Sequence, residues 1–311
     1  MPTLQQFRYL VAIADCLHFR RAAEAVHVTQ PTLSAQLREL EDKLGVQLVE
    51  RSRAGVTLTP IGRGVADRAR GVLRDVADIA ALARAGADPF DGTIRVGIVG
   101  SLGGYFLPLI LPSLHASYPG LKFYVREGLA ADLMGRLRDG SLDMLFFPLP
   151  VEGAGLRSEP LFHEPLLVVM PSDHPLADGE TVRRDALRGE TVMTLEAGHR
   201  LHDTVAELAE ETGAVLSLDY EGTSLDTLRQ MVATGLGLSI LPALYVRSEV
   251  AREALVTARA LPDPQPGRDI ALIWRRTAAQ GDAFALLATD IRAILRAAAP
   301  EVTVIDPPGH G

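Results

Sequence analysis

The stretch HVTQPTLSAQLRELEDKLG, residues 27–45, constrains the fold of this chain more than any other segment. Thr29 is a typical helix N-cap, and Pro31 suits the first turn of a helix. A shorter helical pattern runs from about Phe19 to Val26 just before it. Two short helices joined by a tight turn predict a helix-turn-helix, whose second helix enters the major groove of DNA. Its apolar stripe consists of Leu33, Leu37, Leu40 and Leu44.

The outer face of the second helix carries small and polar side chains, which let a helix approach base edges closely. Downstream, LVERSRAGVTLTP predicts two strands and a tight turn, a hairpin that would form a wing beside the helices. An ordinary helical bundle with solvated arginines is the alternative. The predicted DNA-contacting residues are Arg20, Arg21, Thr29, Gln30, Pro31, Thr32, Ser34, Ala35, Arg38, Arg51 and Arg53.

Residues 62–85 are continuously compatible with a helix, and their apolar side chains recur at alternating spacings of four and three. An apolar stripe on a linker helix has to be buried against another surface, and a second copy of the same helix is the simplest packing partner. A homodimer would place two recognition helices on successive half-sites of double-stranded promoter DNA. The alternative is a helix that lies on its own domain. The predicted dimerisation residues are Val65, Ala69, Val72, Val76, Ile79 and Ala83.

Strand and helix patterns alternate after residue 91 and form two clusters of α/β units, and the strand DIALIWRR returns late in the chain. This order predicts two subdomains hinged by crossing strands, with a ligand cleft between them. We expect a winged helix-turn-helix over residues 1–60, a linker helix over 61–88, and an α/β effector domain over 91–299. Its subdomain I would cover about 91–164 and 269–299, and its subdomain II about 165–268. The Pro- and Gly-rich tail, 300–311, is expected to be flexible.

The net charge of -8 does not exclude DNA, because the charge is unevenly distributed. Residues 1–88 carry 12 Lys and Arg against 10 Asp and Glu, whereas the remainder carries 19 against 29. Cys16 is the only cysteine, which excludes an intrachain disulfide, a cysteine zinc site and a two-thiol redox relay. The sequence contains no signal-peptide pattern and no apolar run of about 18 residues. We therefore expect a cytoplasmic protein without a membrane partner, and no cofactor.

The chain up to about residue 298 resembles LysR-type transcriptional regulators, through FRRAAEAVHVTQPTLSAQLRELEDKLGVQLVER and the TP-x-G motif at 59–62. Within that family it is similar to the peroxide-sensing OxyR branch, through LEAGHRLHD, TSLDTLRQMVATGLGLSILPA and EPLLVVMPSDHP. The resemblance implies a periplasmic-binding-protein-like effector domain of two subdomains and a homotetramer on DNA. RNA polymerase is a further candidate partner.

The segment LEAGHRLHD, residues 195–203, departs from the family at its reactive position. The resemblance implies a peroxide-reacting cysteine where this sequence has Arg200, and a resolving cysteine where it has Ala209. A thiolate is the nucleophile in that chemistry, and a guanidinium cannot replace it. Ala130 likewise stands where the resemblance implies a pocket threonine. We therefore expect no thiol-based peroxide sensing at this site.

The same segment is better explained as the wall of a binding pocket. An arginine at a helix N-terminus attracts anions through its charge and through free backbone N–H groups. The residues expected to border a cleft for a small, anionic effector are Ser101, His199, Arg200, Thr223 and Ser224.

Other interpretations of the chain stay open. Arg200 could be a solvated residue at a vestigial redox site, and His199, His202 and Asp203 could bind a metal. An oxidant response could use Met193 or Cys16. An α/β enzyme with a helical N-terminal appendage is the alternative from another class, although no serine lies in a G-x-S-x-G motif.

Overall fold

The structure of the protein is a computed structural model that describes residues 1–52, 55–84, 90–151, 153–217, 222–262 and 264–306. It divides into two compact units, Met1–Ala87 and Asp88–Gly311. Within the described residues, no helix is both long enough and apolar enough to cross a membrane.

The first unit is a winged helix-turn-helix followed by a long helix. Its elements are α1 (Leu4–Cys16), α2 (Phe19–Ala25), α3 (Gln30–Leu44), β1 (Val49–Ser52), β2 (Gly55–Leu58) and α4 (Pro60–Arg84). The predicted start of α3 is confirmed, since the Thr29 side chain accepts a hydrogen bond from the Thr32 backbone N–H. Helix α1 starts with a capping box formed by Thr3 and Gln6. Leu33, Leu37 and Leu40 are buried against α1 and α2, which fixes the face that α3 turns outward.

The turn between α2 and α3 contains a non-glycine residue in the left-handed region. His27 has a φ of 55°, which brings the end of α2 close to the start of α3. The His27 and Val28 N–H groups donate to the backbone of α2, at Glu24 and Ala23. The tight turn expected from the sequence is therefore made by backbone hydrogen bonds rather than by the histidine side chain.

The second unit is a curled mixed sheet covered by helices. Its elements are β3 (Gly92–Val99), α5 (Gly100–Ser117), β4 (Leu121–Gly128), α6 (Ala130–Arg138), β5 (Met144–Pro148), β6 (Leu156–Pro171), β7 (Thr191–Met193), α7 (Arg200–Thr212), β8 (Val215–Leu216), α8 (Leu225–Ala233), β9 (Leu238–Pro242), α9 (Ala243–Ser248), β10 (Val256–Ala260), β11 (Gly267–Arg275), α10 (Gly281–Ala298) and β12 (Thr303–Val304).

The strands follow the order β4-β3-β5-β11-β6-β9-β7-β8, and β10 and β12 also pair with β6. Parallel pairs, as α/β units form them, link β3 to β4 and β5, and β7 to β8 and β9. The strands that cross between the halves, β6 and β11, are antiparallel to their partners, so the sheet is mixed rather than parallel throughout.

Two separate apolar cores flank the crossing strands. One core is built from residues 90–162 and 270–302 together with Leu244, and it includes the stacked rings of Phe106 and Phe162. The other is built from residues 166–261. The division between the cores falls within β6, so one continuous strand belongs to both halves of the regulatory unit.

One expectation from the sequence requires correction. The tail from residue 300 was expected to be flexible, but Thr303 and Val304 pair with His163 and Phe162, and the Ile305 N–H donates to the Leu161 carbonyl. Residues 303–305 contain no Pro or Gly, and their backbone groups are satisfied by pairing with β6. Strand β8 is short, Val215–Leu216, and residues 218–221 lie outside the described residues, as do 307–311.

Candidate DNA interface and effector cavity

The outward face of α3 carries most of the predicted DNA contacts. Arg38 lies on the opposite side of the helix from the buried leucines, and its guanidinium forms no ion pair with any described residue. Arg21 on α2 is exposed in the same way, whereas Arg20 pairs with Glu24 at 3.1 Å. The predicted contacts Gln30, Pro31, Thr32 and Ala35 are exposed and Ser34 is half-buried, while exposed Thr29 serves as the N-cap.

The wing forms the predicted hairpin. Arg51 pairs with Val56 and Ser52 with Gly55 across β1 and β2, so the turn falls at residues 53 and 54. Arg51 therefore lies within the strand beside the tip rather than at the tip. Arg53, another of the predicted DNA-contacting residues, lies outside the described residues.

The apolar stripe of α4 is only partly covered within its own unit. Ala69 is buried and Val65 packs against the core of the helix-turn-helix, whereas Val72 and Ile79 are exposed. Val76 is half-buried, and the side chain of Ala83 lies outside the described ones. An almost wholly apolar groove of about 450 Å³ runs along this stripe. Its lining consists of Phe7, Leu44, Ile61, Gly64, Val65, Arg68, Ala69 and Val72.

A cavity of about 350 Å³ lies in the regulatory unit where the crossing strands meet α7; we call it the Arg200 cavity. Arg200 is the first residue of α7, and its Nη2 donates to the Pro150 carbonyl at 3.2 Å. Its guanidinium has no carboxylate partner among the described residues. The lining consists of Pro148, Leu149, Pro150, His163, Arg200, Thr204, Gly267, Arg268 and Asp269.

A buried ion pair forms the floor of the Arg200 cavity. Arg268 Nε donates to Glu164 Oε2 at 2.9 Å, and Glu164 is wholly buried. The same guanidinium donates to Ser101 Oγ at 2.7 Å and to the Ser101 carbonyl at 3.0 Å. Glu164 Oε1 in turn accepts from the Leu244 N–H at 3.0 Å. This network ties β6 and β11 to the start of α5 and the start of α9.

Charges of both signs line the cavity. The Asp269 carboxylate lies 2.7 Å from His163 Nδ1, so its charge is partly engaged by the imidazole ring. Arg268 is occupied by Glu164 and Ser101, which leaves Arg200 as the cation that can reach a ligand. The cavity can therefore hold a small molecule with an anionic group at Arg200 and a polar group near Asp269.

His199 lies in the loop before α7 with an unusual environment. It occupies the N-cap position, and its Nε2 is buried without a hydrogen-bond partner in the described part of the chain, 3.8 Å from Glu196. Burial lowers the pKa of His199 below its ordinary value, with the charge of His202 acting in the same direction and Glu196 opposing both. The lowered pKa favours the neutral form of the His199 imidazole.

Of the five residues predicted to border the cleft, the structure places Arg200 in the lining and Ser101 directly behind Arg268. Thr223 and Ser224 precede α8, and the bridge between Leu195 and Gly222 sets them beside the loop that carries His199. None of Thr223, Ser224 and His199 lines the Arg200 cavity.

Sequence reasoning missed Arg268, Glu164, His163 and Asp269. A useful signal was present, because an arginine within an otherwise apolar strand pattern requires a buried acidic partner. The metal interpretation gains no support, since no group of three or more His, Cys, Asp or Glu side chains converges in the described residues. Met193 is buried, which disfavours it as a site of rapid oxidation.

Comparison with known proteins matches both units. Residues 4–63 match the bacterial regulatory helix-turn-helix protein family, lysR type, and residues 87–296 match the LysR substrate binding domain. The DNA-binding transcriptional dual regulator OxyR of Escherichia coli strain K12 is 40% identical over 290 residues, which cover 93% of this chain and 95% of that protein.

Solved structures agree with this match over the length of the chain. A full-length OxyR variant from Pseudomonas aeruginosa has a TM-score of 0.81 at 35% identity and covers 99% of both chains. A peroxide-bound OxyR variant from Corynebacterium glutamicum has a TM-score of 0.65 at 31% identity and covers 96% of this chain and 94% of that one.

Proposed function

Because this chain belongs to the LysR family of bacterial transcriptional regulators, we propose that it regulates transcription in response to a small anionic effector bound in the Arg200 cavity, without a reactive thiol. LysR regulators bind promoter DNA and small-molecule effectors and form oligomers. The observation that carries the effector proposal is the Arg200 guanidinium, which lines a cavity and has no carboxylate partner in the described residues.

The site supports an effector-driven switch through the crossing strands. Arg200 and Thr204 belong to the half that contains α7, whereas Pro148, Leu149 and Pro150 belong to the other half. A ligand that contacts both would favour one relative orientation of the halves, and its differential affinity for two orientations sets the size of the response. We propose that this orientation controls the spacing of DNA-binding units in a homotetramer.

An anion titration tests the effector proposal. Small metabolite carboxylates and phosphates are screened at constant ionic strength, with the melting temperature and promoter affinity as readouts. An effector that acts here raises the melting temperature of the wild type but loses most of its effect in Arg200→Ala. Arg252→Ala is the matched control, because Arg252 is exposed and forms no ion pair with a described residue. Equal affinity of the effector for wild type and Arg200→Ala would remove Arg200 from the site.

Salt-dependent DNA binding tests the predicted interface. Binding to the DNA upstream of the chain's own gene is measured between about 50 and 200 mM salt. The logarithm of the binding constant falls linearly with the logarithm of the salt concentration, and each phosphate contact adds about 0.9 to the steepness of that slope. Arg38→Ala and Arg21→Ala are each expected to lower affinity and to flatten that slope by about one. Arg8→Ala, an exposed α1 arginine outside the predicted contact set, serves as the control. Unchanged slopes in both variants would place the contacts elsewhere.

The absence of a reactive thiol is tested with peroxide. Cys16 is the only cysteine and lies in α1 of the helix-turn-helix unit, whereas the resemblance to the OxyR branch implies a reactive cysteine at the position of Arg200. We expect promoter binding to be insensitive to hydrogen peroxide in both wild type and Cys16→Ser. A peroxide response in wild type that Cys16→Ser abolishes would overturn the proposal, and one that persists in Cys16→Ser would favour oxidation of a methionine.

The exposed stripe on α4 supports homodimerisation through that helix. The groove is apolar, lies along the helix and is continuous with the exposed Val72, which a second α4 would cover. Tetramer formation and a contact with RNA polymerase remain predictions.

A further inference from the structure

A second cavity in the regulatory unit lies at the end of β11 and the start of α10; we call it the Trp274 cavity. It measures about 350 Å³, at the lower end of the range for ligand pockets. Its lining shares no residue with the Arg200 cavity. The lining consists of Arg157, Trp274, Arg276, Ala278, Ala279, Gly281 and Asp282.

Trp274 presents an unsatisfied donor to this cavity. The residue is only 1% exposed, yet among the described residues its indole Nε1 has no hydrogen-bond acceptor. A methyl group built on Gly281 would lie 3.2 Å from Nε1, so the N–H edge of the ring faces the first residue of α10. An indole N–H can only donate, and in the described structure it donates to no protein acceptor. The edge is therefore arranged for an acceptor that enters beside Gly281.

The start of α10 adds further donors at the same place. This helix has 18 residues and no side-chain cap, and in the described structure the Asp282 and Ala283 N–H groups donate to no carbonyl. Free N–H groups at the start of a long helix favour an anion through both hydrogen bonding and the helix dipole. The unpaired indole N–H is an independent reason to expect an acceptor there.

Two guanidiniums set the charge of the cavity. Arg276 is exposed and forms no ion pair with a described residue. Arg157 lies over the Trp274 ring, with Cζ 5.6 Å from the centroid, and its contact to Glu159 is long at 3.4 Å. Asp282 contributes one opposing carboxylate at the exposed rim. The two arginines outweigh it, and guanidiniums suit planar carboxylates and phosphates alike.

From this geometry we propose that the Trp274 cavity is a second ligand site, which binds a small oxyanion, either a phosphate or a carboxylate, between Arg276, the Trp274 indole N–H and the start of α10. The site is separate from the proposed effector cavity and does not depend on it. A regulator with this arrangement binds two small molecules, one at each site.

Trp274 makes the proposal directly measurable, because it is the only tryptophan in the sequence. Its emission is followed in the full-length protein as inorganic phosphate or malonate replaces sodium chloride at constant ionic strength. We expect a saturable change with at least one probe, and the probe that works separates a phosphate ligand from a carboxylate ligand. Arg276→Gln should raise the dissociation constant about tenfold, as expected for losing one charge-assisted contact.

Two further variants separate binding from folding. Gly281→Ala places a methyl group where the anion's oxygen would lie, 3.2 Å from Trp274 Nε1, so it should weaken binding. The helix propensity of alanine offsets part of the cost of that close contact, so the melting temperature should show that the variant is still folded. Arg252→Gln, which removes an equivalent exposed charge elsewhere, should bind like wild type. Arg200→Ala should also retain the response, which distinguishes this site from the proposed effector cavity. No saturable change with either probe, or wild-type binding by both Arg276→Gln and Gly281→Ala, would overturn the proposal.

Discussion

The ion pair between Arg268 and Glu164 gives the most demanding prediction. Arg268→Met has a similar volume but removes every charged partner of a carboxylate that is wholly buried. The remaining hydrogen bond to Glu164, from the Leu244 N–H, cannot compensate a buried charge alone. Breaking one side of such a pair costs about 3–5 kcal/mol of unfolding free energy.

The expected loss can be resolved by urea unfolding of the full-length protein. Trp274 lies in the regulatory unit, so its emission reports the unit that contains the pair. With a denaturant slope of about 2.5–3 kcal/mol/M, the predicted loss lowers the urea midpoint by about 1–2 M.

A double variant separates the lost pair from lost packing. Glu164→Gln in the Arg268→Met background removes the buried charge and retains an acceptor for the Leu244 N–H. The double variant should therefore recover stability and remain only about 1–3 kcal/mol below wild type, the cost of unpaired neutral groups. The reasoning fails if Arg268→Met costs less than about 1 kcal/mol, or if the double variant is no more stable than Arg268→Met.

Three other predictions address the turn, the loop and the linker helix. His27→Gly should raise the free energy of unfolding by about 1 kcal/mol, because glycine adopts the left-handed conformation without steric cost. Urea unfolding followed by circular dichroism measures this change, and the control His27→Ala should show no gain. A His27→Gly variant that is less stable than wild type would contradict the prediction. The pKa of His199 is lowered in the folded state, so unfolded chains take up that proton first and stability falls as pH drops from about 6.5 through the folded pKa. Between pH 8 and 5 the melting temperature of His199→Gln should therefore fall less steeply than that of wild type. Parallel curves of melting temperature against pH for the two proteins would refute this role of His199. Val72→Asp with Ile79→Asp should halve the oligomeric state in analytical ultracentrifugation, from tetramer to dimer or from dimer to monomer, because both exposed side chains belong to the proposed α4 interface. Asp67→Ala, on an exposed position of the same helix, should leave the oligomeric state unchanged. A double variant with the wild-type oligomeric state would exclude this face.

Local signals made the helix-turn-helix predictable. The capping residues Thr3 and Thr29 lie within three positions of the backbone groups that they satisfy, and the leucine spacing of α3 marks its buried face without knowledge of the rest of the chain. The alternating pattern likewise predicted two α/β halves and a late crossing strand, because each strand's burial pattern is visible in its own sequence.

The floor of the Arg200 cavity depends on residues that are far apart in sequence. Arg268 and Glu164 are 104 positions apart, and Arg268 and Ser101 are 167 apart, so no local spacing connects them. The tail shows the same limit, since the pairing of Thr303 with His163 depends on an open strand edge that composition does not reveal. Charged residues in apolar strands are therefore the positions where a sequence prediction needs the fold most.

The shared strand β6 has a consequence for the order in which the protein is made. The core at residues 90–162 is completed only by β11 and α10, more than 100 residues later, whereas the core at 166–261 is continuous in sequence. During synthesis the helix-turn-helix and the half built around the core at 166–261 can each fold as soon as they leave the ribosome. The half built around the core at 90–162 stays incomplete until nearly the whole chain has left the ribosome. A premature stop before α10 would therefore leave its apolar strands exposed, and the product would aggregate or be degraded.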